Sequence, residues 1–269
     1  MYDHVDRPIL DDFKGVLKAM AKSNKQYQKY CDSVIGLLGN WFKGGQYGAY
    51  TDGVSTISLD KDVICFDLKG MEKFAGLQTV MLTIITNYVW NKVVNDPQRR
   101  KIVVFDECWK LLSSPESAAF IAECYRTFRK YGASAISVTQ SLSDFMGSGL
   151  EGGILGNSNT RLILRQNSVP AIQGIVDYFH LNECEQRQIE SLQIKKGEGA
   201  EIFFSQSKGL SSVSGKMVIY PTPIEYWVAT TDAKDVDYYN KKEKENPSLD
   251  MYGVIELCAK EYPNGFKEK

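Results

Sequence analysis

Lys101–Glu107 reads KIVVFDE: four consecutive apolar residues, Ile102, Val103, Val104 and Phe105, run straight into two adjacent carboxylates, Asp106 and Glu107. A short β-branched run without polar alternation is what a strand buried on both faces requires, as in a parallel sheet. Ligands of such sheets bind beyond the carboxyl ends of the strands. An acidic pair at that end can therefore sit beside a bound phosphate, the first carboxylate helping to hold Mg²⁺ and the second orienting a water against a γ-phosphate. Alone, the stretch reads equally as a buried strand whose acidic end caps the next segment.

Downstream, Ser113-Ser114-Pro115-Glu116 is a helix start, with serine at the N-cap, proline at N1 and glutamate in the first turn. Phe120, Ile121, Cys124, Tyr125 and Phe128 follow as its buried face, Arg126, Arg129 and Lys130 lie off it, and Gly132 is a natural C′ residue. Trp109 reads as core. Ser134–Thr139 reads as another buried strand, ending in Gln140, a polar amide again on the ligand side of the sheet. The glycine-rich Met146–Asn159 reads as a mobile loop, Arg161–Leu164 as a strand followed by Arg165, and Pro170–Phe179 and Glu183–Leu192 as helices. Ala200–Ser205, Lys216–Tyr220 and Glu225–Ala229 read as strands.

Upstream, Val63–Leu68 (VICFDL) reads as a buried strand with Asp67 near its end, and Met71–Val94 as a helix apolar over a wide arc. Tyr47–Thr51 and Ser55–Leu59 read as a short hairpin turning at Asp52-Gly53. Residues 1–43 show helical spacing of apolar side chains. From Asp232 the chain is highly charged, resumes as a short helix near Asp250–Lys260, and ends in a frayed NGFKEK terminus. The order of elements predicts an α/β protein with a mostly parallel sheet. It has three parts: a helical subdomain over 1–43, a core over 44–231 and a charged helical tail over 232–269.

With 43% hydrophobic and 24% charged residues the composition is that of a globular protein with a sizeable core. A net charge of −1 gives no global pull toward nucleic acid or anionic membrane. Six cysteines without CxxC spacing, and no signal peptide, fit a reducing cytoplasm. Two histidines far apart argue against a zinc site. Phe74–Val94, the longest apolar-rich stretch, is interrupted by Gln78, Thr79, Thr83, Thr86 and Asn87 and is too polar to span a bilayer.

A nucleotide site of this kind needs a GxxxxGK[ST] loop, whose backbone N–H groups surround the phosphates. The nearest string, Gly209–Met217 (GLSSVSGKM), has five residues between its glycines, and Met217 stands in place of the hydroxyl. It lies between two β segments and reads as a hairpin loop. Either this is not a nucleotide enzyme, or the phosphate loop lies upstream of Met1, in which case the chain by itself is not expected to hydrolyse ATP.

YGAYTDG (Tyr47–Gly53), CFDLKG (Cys65–Gly70), IVVFDECWKLL (Ile102–Leu112), FRKYGA (Phe128–Ala133) and TQSLSDF (Thr139–Phe145) occur in this order. Together they resemble the C-terminal half of the VirB/TraC-type ATPases, the large motors of conjugation and type IV secretion. The resemblance implies a RecA-like P-loop core using ATP and Mg²⁺. Asp106 would be the Walker B carboxylate on the metal, Glu107 the activator of water and Gln140 the sensor of the γ-phosphate. Arg129 and Lys130 match a basic motif of the family, and Arg161 or Arg165 is positioned like the arginine that completes a neighbour's site in hexameric motors. Each has a plainer reading: Arg129 and Lys130 as complements of a helix dipole, Arg161 and Arg165 as ion-pair partners, and Gln140 as a satisfied strand-end amide. The implied setting is a homo-hexamer at the cytoplasmic face of the inner membrane, alongside inner-membrane channel and coupling proteins, with direct DNA contact open. Two rivals remain: a DNA-translocating motor of FtsK/HerA or coupling-protein type, and a non-catalytic RecA-like scaffold. The Met146–Gly156 loop has no lysine or arginine, which counts against the first.

Overall fold

The computed structural model describes residues 7–54, 59–112, 114–146, 151–208 and 211–267. The chain divides into two compact units, Met1–Tyr88 and Val89–Lys269. Among the described residues no helix is long and apolar enough to cross a membrane.

In the first unit α1 (Leu10–Ser23) and α2 (Lys25–Leu37) meet at Asn24, whose side chain caps α2 by accepting from Gln26 N–H. Tyr47–Thr51 is not a strand. Gly48–Thr51 forms a single helical turn, α3, packed back on the loop before it. A Cβ at Gly48 would lie 2.1 Å from the Phe42 carbonyl oxygen, and one at Gly45 2.3 Å from that of Gly39. Asp52 locks this fold-back, its carboxylate accepting from the N–H groups of Asp11 and Lys43 at 2.9 and 2.6 Å. The expected second hairpin arm at Ser55–Leu59 falls almost wholly outside the described residues. Val63–Leu68 has no ladder partner among the described residues, so the expected strand is not formed. Its inward side chains pack locally, Phe66 edge-on to Tyr88. The long helix α4 (Ala75–Asn95) follows.

The second unit opens with the strand expected from the sequence, β1 (Lys101–Phe105). The short helix α5 (Cys108–Leu112) and α6 (Pro115–Thr127) lead to β2 (Ala133–Ser137), parallel to β1 in the register Lys101↔Ala133 to Phe105↔Ser137. Ser114 caps α6, accepting from Ser117 N–H, with Pro115 at N1. Gly132, at φ +64, turns the chain into β2, and a Cβ there would meet the Pro97 carbonyl oxygen at 2.9 Å. Ile121, Ala122, Cys124 and Phe128 pack with Phe105, Cys108 and Ala133 in one core cluster. Fully burying side chains such as Ile121 and Phe128 stabilises the fold by about 1.5–3 kcal/mol each. Among the described residues of this unit, the strand pair is covered on one face only. Ile102 and Val104 on the other are 69% and 56% exposed, against the expectation of burial on both faces.

Beyond β2, the helical turn α7 (Glu151–Ile154) occupies part of the expected glycine-rich loop, and Ile154 and Leu155 are buried in the same core. The remaining strands form a separate antiparallel sheet, so parallel pairing is confined to β1–β2 among the described residues. β3 (Thr160–Ile163) leads to α8 (Val169–Phe179) and α9 (Glu183–Glu190), then to β4 (Ile194–Lys195), β5 (Gly199–Lys208) and β6 (Ser211–Ile219). β3 and β4 pair with successive parts of β5, and β6 with its whole length. Of the GLSSVSGKM stretch, Ser211–Met217 lies within β6 and pairs with β5, so these residues are strand rather than the expected loop. Ile163 and Phe203 pack on Ile172, Ile175, Val176 and Ile189 of the two helices.

Glu225–Ala229 is helical, not a strand. It lies in α10 (Pro223–Ala229), which starts at a capping box in which Thr222 and Glu225 exchange hydrogen bonds, with Pro223 at N1. With α11 (Ala233–Glu245) and α12 (Met251–Glu261) it builds a third core around Trp227, Val254, Ile255 and Cys258. The terminus is packed rather than frayed as far as Phe266, whose ring stacks on Tyr238 at 4.6 Å.

Asp235, fully buried, ties this helical trio to the sheet. Its carboxylate accepts from Tyr226 OH at 2.6 Å, Thr230 Oγ1 at 2.9 Å and Phe266 N–H at 2.7 Å, and pairs with Lys196 of the β4–β5 turn at 3.2 Å. Burial pushes the carboxyl's pKa up, but the bonds from Tyr226, Phe266 N–H, Thr230 and Lys196 outweigh it and hold it below its ordinary value. A depressed folded pKa gives stability that is complete above the unfolded value of about 4 and lost as pH falls through the folded value. Asp235→Asn is expected to cost about 1–3 kcal/mol near neutral pH, since an amide cannot accept from Tyr226 OH, Thr230 Oγ1 and Phe266 N–H as the carboxylate does and leaves part of that buried donor set unmet. Urea denaturation checks this, and the gap to wild type should narrow as pH is lowered from about 6 toward 3.

Candidate active site

The ladder does not stop at the last paired residues of β1 and β2. Val138 N–H donates to the Phe105 carbonyl and Cys108 N–H to the Val138 carbonyl, each at 2.9 Å. These two bonds stitch the strand ends together and leave Asp106 and Glu107 projecting between the buried anchors Phe105 and Cys108. Gln140 follows Val138 by two residues, so the structure brings Asp106, Glu107 and Gln140 to one end of the parallel pair, with all three exposed. The segment carrying Gln140 is fixed by Asp144, whose carboxylate accepts from Thr139 Oγ1 and from Ser141 N–H.

Glu107 has φ +46, a left-handed conformation that non-glycine residues adopt rarely. Its N–H donates to Asp106 Oδ1 at 2.9 Å, and its carbonyl accepts from Lys110 N–H at 2.9 Å, closing a turn. Lys110 Nζ pairs with Glu107 Oε2 at 2.6 Å and lies 5.5 Å from the centre of the Trp109 ring. Trp109 is 44% exposed, so its reading as core is corrected: the turn into α5 buries Cys108 and Leu112 and faces the indole outward. Lys110 was not singled out from the sequence, although an acid three residues before a lysine at a helix start is a legible pairing signal.

Burial pushes the Cys108 thiol up, and that of Cys124 to about 12. Neither has the thiolate character of a nucleophile. The ionisable groups exposed at this end include the carboxylates of Asp106 and Glu107.

Arg129 and Lys130 do not join the group. They sit, exposed, in the helical turn that precedes β2 (Phe128–Tyr131), at its amino end, which a five-residue strand separates from the carboxylate end by about 17 Å. Arg161 and Arg165 part company. The Arg161 guanidinium lies 4.4 Å from the centre of the Phe179 ring and donates to Ser207 Oγ at 3.4 Å. Its Nε is buried with no hydrogen-bond partner among the described residues, and burial lowers its pKa. Arg165 is exposed, lining a shallow polar hollow with Gln166, Asn167 and Glu190.

Magnesium takes one or two protein carboxylates together with substrate phosphates, rather than a protein cage. Among the described residues no cluster of three or more His, Cys, Asp or Glu side chains could hold a metal alone. A lone exposed carboxylate at a strand end, with a second acid beside it, fits a metal shared with a nucleotide.

The sequence model of the TraG P-loop domain matches residues 1–261. The chain belongs to that family. Among curated relatives it is 25% identical over 262 residues to Protein TraC of Escherichia coli, covering 91% of the chain and 29% of that protein. It is 25% identical over 206 residues to the type IV secretion system protein VirB4 of Bartonella henselae, covering 76% of the chain and 25% of that protein. The chain thus spans under a third of either relative. A solved structure of VirB4 from Thermoanaerobacter pseudethanolicus superposes with a TM-score of 0.53 at 22% identity, over 80% of the chain and 56% of that structure, and shows the shared α/β fold.

The two arginines are separable by stability. Arg161→Ala, which removes the stack on Phe179, is expected to cost about 1–2 kcal/mol. Arg165→Ala should stay within about 0.5 kcal/mol. Denaturant midpoints measure both, and equal effects would contradict the placement.

Proposed function

We propose that this chain is the Walker B portion of a P-loop ATPase which, in a longer protein, couples Mg²⁺-ATP hydrolysis to assembly of, or transport through, a type IV secretion apparatus. The observation that carries the reading is the convergence of Asp106, Glu107 and Gln140 on one strand end, held by the Phe105–Val138–Cys108 backbone bonds. Family membership and the type IV secretion relatives support it.

In this reading Mg²⁺-ATP, when bound, supplies the transferable phosphoryl group. Asp106 offers its carboxylate to the metal side. Glu107 orients a water and takes its proton, and Gln140 offers its amide to the terminal phosphate. The protein acts as a homo-hexamer at the cytoplasmic face of the inner membrane, with channel and coupling components as partners. Arg165, exposed and free of the packing that holds Arg161, is the better placed of the two to reach a neighbouring subunit.

The test is Mg²⁺-dependent phosphate release by the longest protein its gene encodes. Glu107→Gln should lower kcat by about 100-fold or more, the scale of general base catalysis. The 269-residue chain, which has no GxxxxGK[ST] string, should show no turnover. Turnover that ignores Glu107 would overturn the assignment and leave the scaffold reading.

A further inference from the structure

Glu107 is held by more than its place after β1. Its backbone is in the left-handed region, where the side chain cannot follow the usual direction of a strand or a helix. Lys110 returns to it twice. The Lys110 N–H closes the turn on the Glu107 carbonyl at 2.9 Å, and the ammonium meets Oε2 at 2.6 Å. On its other side the ammonium lies over the exposed Trp109 ring. Three consecutive outward features, Glu107, Trp109 and Lys110, thus form a carboxylate–ammonium–indole layer, while Cys108 beneath is fully buried and pins the turn.

We infer that Lys110 is a positioning residue for Glu107, with Trp109 as the wall that directs the ammonium. The inference rests on the proposed ATPase role of Glu107 and adds what the two acids alone lack, a group that orients the base. A base needs an orienting partner as well as a substrate-facing atom. Here Lys110 occupies Oε2 and leaves Oε1 to receive a water proton. Both side chains are close to half exposed, so the pair sets direction more than it adds binding strength. Arginine can span the same three-residue separation, whereas methionine matches the stem of lysine without its charge.

Two measurements test this. The first uses the 269-residue chain without nucleotide: the ¹H–¹⁵N signal of the Lys110 ammonium, identified by its loss in Lys110→Arg. It is expected to shift or broaden in Glu107→Gln, which weakens the partner, and to move in Trp109→Leu. A signal unchanged by Glu107→Gln would overturn the contact. The second is steady-state ATPase of the longest gene product. Lys110→Met should lower kcat about threefold with the KM for ATP unchanged, the factor an exposed charge pair of this geometry is worth. Lys110→Arg should restore most of it. A Lys110→Met enzyme with wild-type kcat, or a loss confined to KM, would overturn the positioning role while Glu107-dependent turnover stands. A wild-type enzyme without Glu107-dependent turnover would instead sink the ATPase reading, and the catalytic part of this inference with it, whatever the ammonium signal does.

Discussion

The Val138 N–H bond to the Phe105 carbonyl and the Cys108 N–H bond to the Val138 carbonyl extend a five-residue ladder by one step. Everything chemically interesting at this end depends on that step. Without it, Asp106 and Glu107 would belong to a loop free to swing from one strand, and Gln140 to a loop swinging from another. With it, three polar side chains from segments some thirty residues apart share a fixed frame. Two buried apolar neighbours, Phe105 and Cys108, keep the frame dry beneath, and Asp144 ties down the segment on the β2 side. The arrangement follows the rule that parallel sheets present their ligand groups at carboxyl strand ends.

A second constraint governs the far end of the chain. Asp235 is a buried charge in a segment, KDVDYYNKKEKE, that is rich in exposed charged residues and packs on the third core through Tyr238 and Tyr239. Four donors from four different places make the burial tolerable: the β4–β5 turn, the last turn of α10, the residue just after it and the packed terminus. Gly197 in that turn has φ +69, and a Cβ there would meet the Asn264 carbonyl oxygen at 2.2 Å, so the turn and the terminal segment touch backbone to backbone. The charged tail expected from composition is therefore a docked module with its own core.

What the sequence disclosed was local. The run Ile102–Phe105, the Ser114-Pro115-Glu116 start and the Gly132 stop each name their conformation through one physical rule, and each is realised. The misses are tertiary or a matter of competing signals. Tyr47–Thr51 has the aromatic and β-branched content of a strand, but Gly45 and Gly48 let backbone approach backbone, which no local pattern announces. Glu225–Ala229 has the same content, yet Thr222-Pro223-Ile224-Glu225 was a readable helix start that outweighs it. Val63–Leu68 forms no strand among the described residues, because a strand needs a partner and propensity supplies none. In the site, Asp106, Glu107 and Gln140 were legible from strand order alone. The separation of Arg129 and Lys130 was legible too, since a basic pair just before a strand lies at its amino end. The Arg161 stack on Phe179 and the outward Trp109 were not, because both depend on what packs beneath them.

The most direct measurement is a crystal structure of the longest gene product with Mg²⁺ and a non-hydrolysable ATP analogue. The account predicts the metal beside the Asp106 carboxylate, directly or through one water, with Gln140 within hydrogen-bond reach of the γ-phosphate and Glu107 facing the in-line water. A nucleotide seated instead at the amino end of β2, against Arg129 and Lys130, would contradict it.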